Sequence, residues 1–195
     1  MQFAFFVLYN VKITFIISYI NSMKGVIVKC LSELIKSDFG EQKWEEIMQR
    51  SSGEKPIEFN AVSDIDDQMV FKLVENTCRV LKLSKQQACD AFGNYFVNTF
   101  APKTFAIFYI RFKSAKDFIL GMNEVHEIVT RNLINASPPK FIFEKMDENT
   151  VIVNYQSTRN MIDFYMGLVK GVSNYFNTPI DIKKLSESKV ELTFS

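Results

Sequence analysis

One histidine, one tryptophan and three cysteines stand in a chain of 195 residues. Each scarcity excludes something. A zinc site built from scattered cysteines and a lone histidine lacks the clustered ligand spacing that zinc needs. Cys30, Cys78 and Cys89 are an odd number without CxxC spacing, so no disulfide framework is expected and a reducing, cytoplasmic setting fits better. Formal net charge is only +1, which argues against a nucleic-acid partner and against an acidic tail. No Gly-rich phosphate loop, internal repeat or low-complexity tract appears. No nucleophile–base set or carboxylate pair stands out, so no enzyme is expected.

What is abundant is apolar and aromatic. Hydrophobic residues make up 47% of the chain, and 19 residues are phenylalanine. That much aromatic surface must line a large core or an apolar cavity, and the length suffices for one domain. The opening "MQFAFFVLYNVKITFIISYINS" is about as long as a membrane span, yet Asn10 and Lys12 interrupt it. Residues 1–22 therefore read as a start-site extension outside the domain or as a membrane anchor. In the second case the lysines that follow keep the domain on the cytoplasmic face.

Residues 23 to about 134 read as helices. Residues 25–37 repeat apolar at helical spacing. "EQKWEEIMQR" forms a second helix, and Ser63 and Asp64 are candidate caps for a third. A fourth starts at Ser84 and ends at Pro102. "TFAIFYIRF" holds a short helix, and another runs from Ser114 to about Ile134. The "SPPK" stretch breaks it. "KFIFEKM" and "TVIVNYQS" then read as a β-hairpin joined by "DEN". "NMIDFYMGLVKGVSNYF" returns to helix, and "PIDIKKL" and "KVELTFS" add two strands. The predicted class is α+β: a helical amino-terminal half, then an α/β half with a four-stranded antiparallel sheet.

His126 is informative because of its place. With Phe118 at zero on a wheel of about 100° per residue, Met122, Val125, Val129 and Leu133 fall between roughly −20° and +60°. His126 falls near about 80° and Glu124, Glu127 and Arg131 lie opposite. A histidine within an apolar arc is either a core residue bonded to a carbonyl or a neutral imidazole offered to a metal, as an axial haem ligand is. The second stretch is "YQSTR". On a strand, Tyr155, Ser157 and Arg159 point the same way. Two hydroxyls and a guanidinium suit an anion with paired oxygens. An exposed polar strand end is the plainer reading.

"MKGVIVKCLSELI", "FGEQKW", "MNEVHEIVT", the paired prolines, "YQSTR" and "GLVKG" occur in this order and spacing. Together they resemble the haem-nitric oxide/oxygen binding (H-NOX) domain of bacterial sensors and of the soluble guanylate cyclase β subunit, over residues 23 to about 195. The resemblance implies haem b between the two halves. It implies His126 as the axial iron ligand, and Tyr155, Ser157 and Arg159 on the haem propionates. Pro139 and Met122 would shape the proximal face. Ile27, Leu31, Phe96, Phe100, Phe164 and Leu168 would form the distal pocket. Relatives that hold dioxygen carry a tyrosine where this chain has Phe164. The implied ligands are therefore nitric oxide and carbon monoxide, with dioxygen excluded. Tyr165, one residue along, is expected outside the pocket. The implied output is release of the proximal histidine to a signalling effector: a histidine kinase, a cyclic-dinucleotide enzyme or a chemotaxis transducer. A competing resemblance is to acyl-chain-binding modules of Golgi trafficking proteins, in which His126 is a plain core residue.

Overall fold

The computed structural model describes residues 22–53 and 58–195. The apolar stretch before Ser22 lies outside the described residues. Among the described residues no helix is long and apolar enough to cross a membrane.

The helical lobe comes first. A short strand β1 (Ser22–Lys24) leads into α1 (Val26–Phe39), whose buried Val28, Leu31 and Ile35 share one face at helical spacing. Gly40, at φ 91°, turns the chain into α2 (Glu41–Ser52). Strand β2 (Asp64–Asp66) pairs antiparallel with β1, Ser22 opposite Asp66. This two-stranded ribbon was not expected; three-residue strands are too short to show a period of two. It also moves the cap of α3 (Asp67–Leu81). Asp66, not Ser63 or Asp64, accepts from the Gln68 and Met69 amides. Asp64 instead pairs with Lys24 across the ribbon.

Ser84 caps α4 (Lys85–Tyr95) as expected, in a reciprocal capping box with Gln87. Pro102 does not end it. The helix passes through a π turn at Phe96–Phe100 and continues as α5 (Ala101–Thr104), which contains the proline; Pro102 has no N–H to give the preceding turn, and there the Val97 carbonyl accepts from the Tyr109 hydroxyl at 2.9 Å. Helix α6 (Ala106–Tyr109) follows. The histidine helix is two helices, α7 (Ala115–Leu120) and α8 (Met122–Thr130). They break at Gly121, where a Cβ would lie 2.3 Å from the Phe112 ring.

The carboxy-terminal half matches the expectation closely. β3 (Lys140–Met146) and β4 (Thr150–Gln156) form the hairpin around 147–149. After α9 (Ile162–Tyr175) come β5 (Ile180–Ser186) and β6 (Lys189–Phe194). All four strands are antiparallel, in the order β3-β4-β6-β5. The inward residues of β4, Val151, Val153 and Tyr155, are buried alternately.

Two apolar cores result. One centres on α1–α3, around Trp44, Ile47 and Leu73; the other lies between the sheet and α9. The halves meet where α9 crosses α4 at glycines. A Cβ on Gly93 would sit 2.1 Å from the Gly167 carbonyl, so only glycine permits this approach.

Candidate functional site

Between the lobes lies a cavity of about 300 Å³. Helix α9 supplies its wall through Met161, Phe164, Tyr165, Leu168, Val169 and Val172. Those positions form one continuous helical face. Helix α8 supplies Met122, Val125, His126, Val129 and Thr130 from another side. The lining is overwhelmingly apolar, with polar groups gathered at one edge.

His126 borders this cavity, and its ring is surrounded by protein yet keeps accessible surface toward it. Nδ1 lies 3.3 Å from the Pro139 carbonyl oxygen. A carbonyl only accepts, so Nδ1 donates and Nε2 keeps its lone pair. Burial holds the imidazole pKa below its ordinary value, against a smaller raising effect of that hydrogen bond. The neutral form is therefore favoured. The Phe141 ring lies 5.7 Å from the imidazole. Pro139 and Met122 also line the cavity.

The polar edge is built around Arg159. Strand β4 ends at Gln156, so Ser157 and Arg159 lie in the following turn, and strand alternation does not align them as expected. A turn brings them together instead: Ser157 Oγ accepts from the Arg159 amide at 3.2 Å. The guanidinium donates from Nε to Asp67 at 2.8 Å, from Nη1 to the Ser137 carbonyl at 2.9 Å, and from Nη2 to the Ser22 carbonyl at 2.6 Å. Two of its five N–H groups stay uncommitted. Tyr155 lines the same cavity. Burial raises its phenol pKa, while the Ser157 hydrogen bond and the Arg159 charge partly offset this. Lys24, also on the wall, donates to Asp64 and to the Ile134 carbonyl.

Of the expected distal set, Ile27, Phe96, Phe164 and Leu168 reach this cavity. Leu31 does not; it lines a smaller neighbouring cavity with Phe92. Phe100 borders neither; it is buried in the helical core, its ring 5.8 Å from that of Phe96.

Tyr165 corrects an expectation. It lines the cavity and is 5% exposed. A rotation of 100° from Phe164 does not leave the wall, because the wall occupies a wide stripe of α9. Its ring stacks on Phe141 and Tyr155, at 4.9 and 5.7 Å. Burial raises its pKa as well. The sequence reading also missed Ser22, Lys24 and Asp67. Only the acidic run "SDIDD" hinted at any of them.

Among the described residues, three side-chain atoms are buried without a hydrogen-bond partner: Ser22 Oγ, Asp67 Oδ1 and the Tyr165 hydroxyl. Two belong to residues that hold Arg159. No group of three or more potential metal-ligating side chains occurs among the described residues.

The chain is similar to soluble guanylate cyclases gcy-32 and gcy-34 of Caenorhabditis elegans. It is 25% identical to each, over 77% and 82% of its own length. It spans about a quarter of the length of those proteins, 23% and 24%. Among solved structures, an S. oneidensis H-NOX protein in the Fe(II) ligation state superposes with a TM-score of 0.79 at 19% identity, covering 89% of this chain and 96% of that one. An oxygen-binding H-NOX domain related to soluble guanylate cyclases, in its oxygen complex, gives 0.76 at 23% identity, covering 89% and 95%. At such identities these structures share the fold. The Haem-NO-binding family profile matches residues 24–184, and the chain belongs to that family of haem-binding gas-sensor domains, H-NOX.

Proposed function

We propose that this domain senses nitric oxide, and takes carbon monoxide, at a ferrous haem b held in the large cavity, and that it excludes dioxygen. The observation that carries this reading is the cavity's polarity: apolar walls, one neutral imidazole, and one cationic edge. A haem has the same layout, a flat apolar body with two carboxylates on one edge.

The residues fit that group. His126 is tautomerically set to bind iron through Nε2. The free N–H groups of Arg159, with Ser157 and Tyr155, suit the propionates. When bound, ferrous haem supplies the iron that takes the gas. Met122 and Pro139 shape the proximal side. Ile27, Phe96, Phe164 and Leu168 surround the other face without a hydroxyl among them; Tyr165 also borders the cavity, but its ring stacks on Phe141, which packs beside His126, and so its hydroxyl belongs to the histidine's side. Bound dioxygen carries partial negative charge and needs a donor; nitric oxide needs much less help. With haem bound, His126 would tie the iron to α8, so that any change in that tie would be passed to α8 and from there to an effector protein: a histidine kinase, a cyclic-dinucleotide enzyme or a chemotaxis transducer. The domain's role is sensing rather than catalysis.

The test is an absorption spectrum of the ferrous protein without air, then with nitric oxide, then separately with air. A five-coordinate haem that shifts with nitric oxide and forms no stable dioxygen complex supports the reading. A colourless protein after haem supplementation overturns it in favour of acyl-chain binding. His126→Gly removes haem binding unless imidazole is supplied; full haem retention by that variant defeats the ligand assignment.

A further inference from the structure

Residues 91–116 contain no aspartate or glutamate, yet they carry Lys103, Arg111, Lys113 and Lys116. That imbalance stands out in a chain of net charge +1. Helix α6 lies within this stretch. On its inner side Phe105, Phe108 and Tyr109 form part of the large cavity's wall. On its outer side stand Ile107 and Ile110, 67% and 79% exposed. Single apolar residues at a surface are ordinary; here two stand one turn apart among cations. Arg111 is tied to Glu124, and Lys116 to the Asp147 and Glu148 carbonyls. Lys103 and Lys113 are exposed and have no hydrogen-bond or ion-pair partner among the described residues.

The chemistry selects an occupant. Two protruding isoleucines between two unneutralised ammonium groups match an apolar layer beneath an anionic surface. A bilayer of anionic lipid has that layering. A second copy of this patch is a poor partner, because like cations would face one another. Stable attachment to a membrane takes two signals, and the sequence holds another. The apolar opening, about as long as a membrane span, runs up to Ser22. Ser22 lines the same cavity as Phe105 and Phe108. These features favour lipid over an acidic protein.

We propose that Lys103, Ile107, Ile110 and Lys113 form a contact surface for anionic phospholipid. The isoleucines enter the acyl boundary and the lysines meet the headgroups. The inference does not rest on haem binding. Through α6, it sets one wall of the large cavity against the lipid.

The test is a nitroxide label at position 110 of the full chain, by Ile110→Cys in a Cys78→Ser background. Cys30 and Cys89 are buried and escape labelling. Depth is read from collisions with oxygen against collisions with a water-soluble nickel chelate. The vesicles are phosphatidylcholine, with or without phosphatidylserine. Attachment itself is not the readout, because the apolar opening would hold the protein on either vesicle. The label should sink into the lipid only where phosphatidylserine is present. Lys103→Ala with Lys113→Ala should lower the ratio of immersed to water-exposed label about thirtyfold, at about fivefold per lysine. A label that stays in water on both vesicles overturns the proposal. Equal immersion on both also overturns it, since the lysines then select nothing. Immobilisation by polyglutamate without immersion in lipid overturns it in favour of an acidic protein partner. A label at Glu45→Cys, exposed on α2, should stay in water; if it sinks equally, the contact is not specific to α6 and the proposal falls. Should the labelled variant fail to fold, amide exchange serves on the natural chain. Exchange over residues 106–113 should slow on phosphatidylserine vesicles alone, and unchanged exchange overturns the proposal.

Discussion

Replacing Arg159 by leucine tests what holds the polar edge together. The Arg159–Asp67 pair has side chains 9% exposed on each partner, so solvent screens it little. Leucine removes the charge partner of a buried carboxylate whose other oxygen, Oδ1, already lacks a hydrogen bond. It also strips donors from the Ser22 and Ser137 carbonyls. Breaking one side of a buried pair costs about 3–5 kcal/mol. Whole domains are stable by only about 5–15 kcal/mol, so this is a large share.

The assay is urea unfolding of the ligand-free protein, followed by the fluorescence of Trp44, the chain's one tryptophan and fully buried. Arg159→Leu should lower stability by about 3–5 kcal/mol at unchanged m-value. Asp67→Leu combined with Arg159→Leu should lose far less than the sum of the single losses, with a coupling of about 2 kcal/mol or more. The reason is that the double variant leaves no stranded charge. Arg159→Lys should fall between, since a compact ammonium cannot reach three partners as a guanidinium fork does. A loss under about 1 kcal/mol for Arg159→Leu, the size of an exposed pair, would refute the claim that Arg159 fastens the lobes.

Three further outcomes follow from the same geometry. Phe164→Tyr places a hydroxyl on the large cavity's wall and should permit a stable ferrous dioxygen complex; an absorption spectrum in air that shows none would defeat the selectivity argument. Burial lowers the His126 pKa, so the unfolded chain takes up the proton first. Its contribution to stability is present above the unfolded value of about 6.5 and is lost as pH falls toward the lower folded value, which urea midpoints across that window would show; a midpoint unaffected by His126→Gln in its pH slope would contradict this. Gly93→Ala pushes a methyl group into the Gly167 carbonyl and should cost about 3 kcal/mol in the same unfolding assay.

The sheet half was legible in the sequence because its signals are local. Val151, Val153 and Tyr155 alternate inward, and the turn "DEN" sits where the hairpin closes. The helical half was legible in its caps and faces, as Ser84 and Gln87 illustrate. What failed depends on contacts distant in sequence. The Gly121 break answers to the Phe112 ring, and the β1–β2 ribbon joins residues about forty apart. Leu31 lines the smaller cavity and Phe100, the last residue of the π turn, is buried in the helical core, placements that no spacing rule shows. His126 and Arg159 were recoverable for a different reason: a rare residue on an apolar face, and a guanidinium two residues from a hydroxyl, are conspicuous in any setting.

The two ends of the large cavity are fastened very differently. Arg159 joins β1, α3, the loop before β3 and the turn after β4, and its ion pair with Asp67 is largely buried. Helix α8 contains no fully buried residue. Its tethers are few: Asn123 exchanges two hydrogen bonds with the Phe141 backbone, Glu124 pairs with Arg111 at the surface, and His126 holds the Pro139 carbonyl. The surface pair contributes about 1 kcal/mol at most. Elements with few buried contacts open most easily. A ligand spanning both ends would therefore be gripped at its polar edge and flanked by a wall that can move. On the sensor reading, strain applied at His126 meets its least resistance in α8, and Gly121, where α7 ends and α8 begins, is the natural pivot. Stiffening that junction with Gly121→Ala should jam it against Phe112 and disturb the position of His126 before it disturbs Arg159.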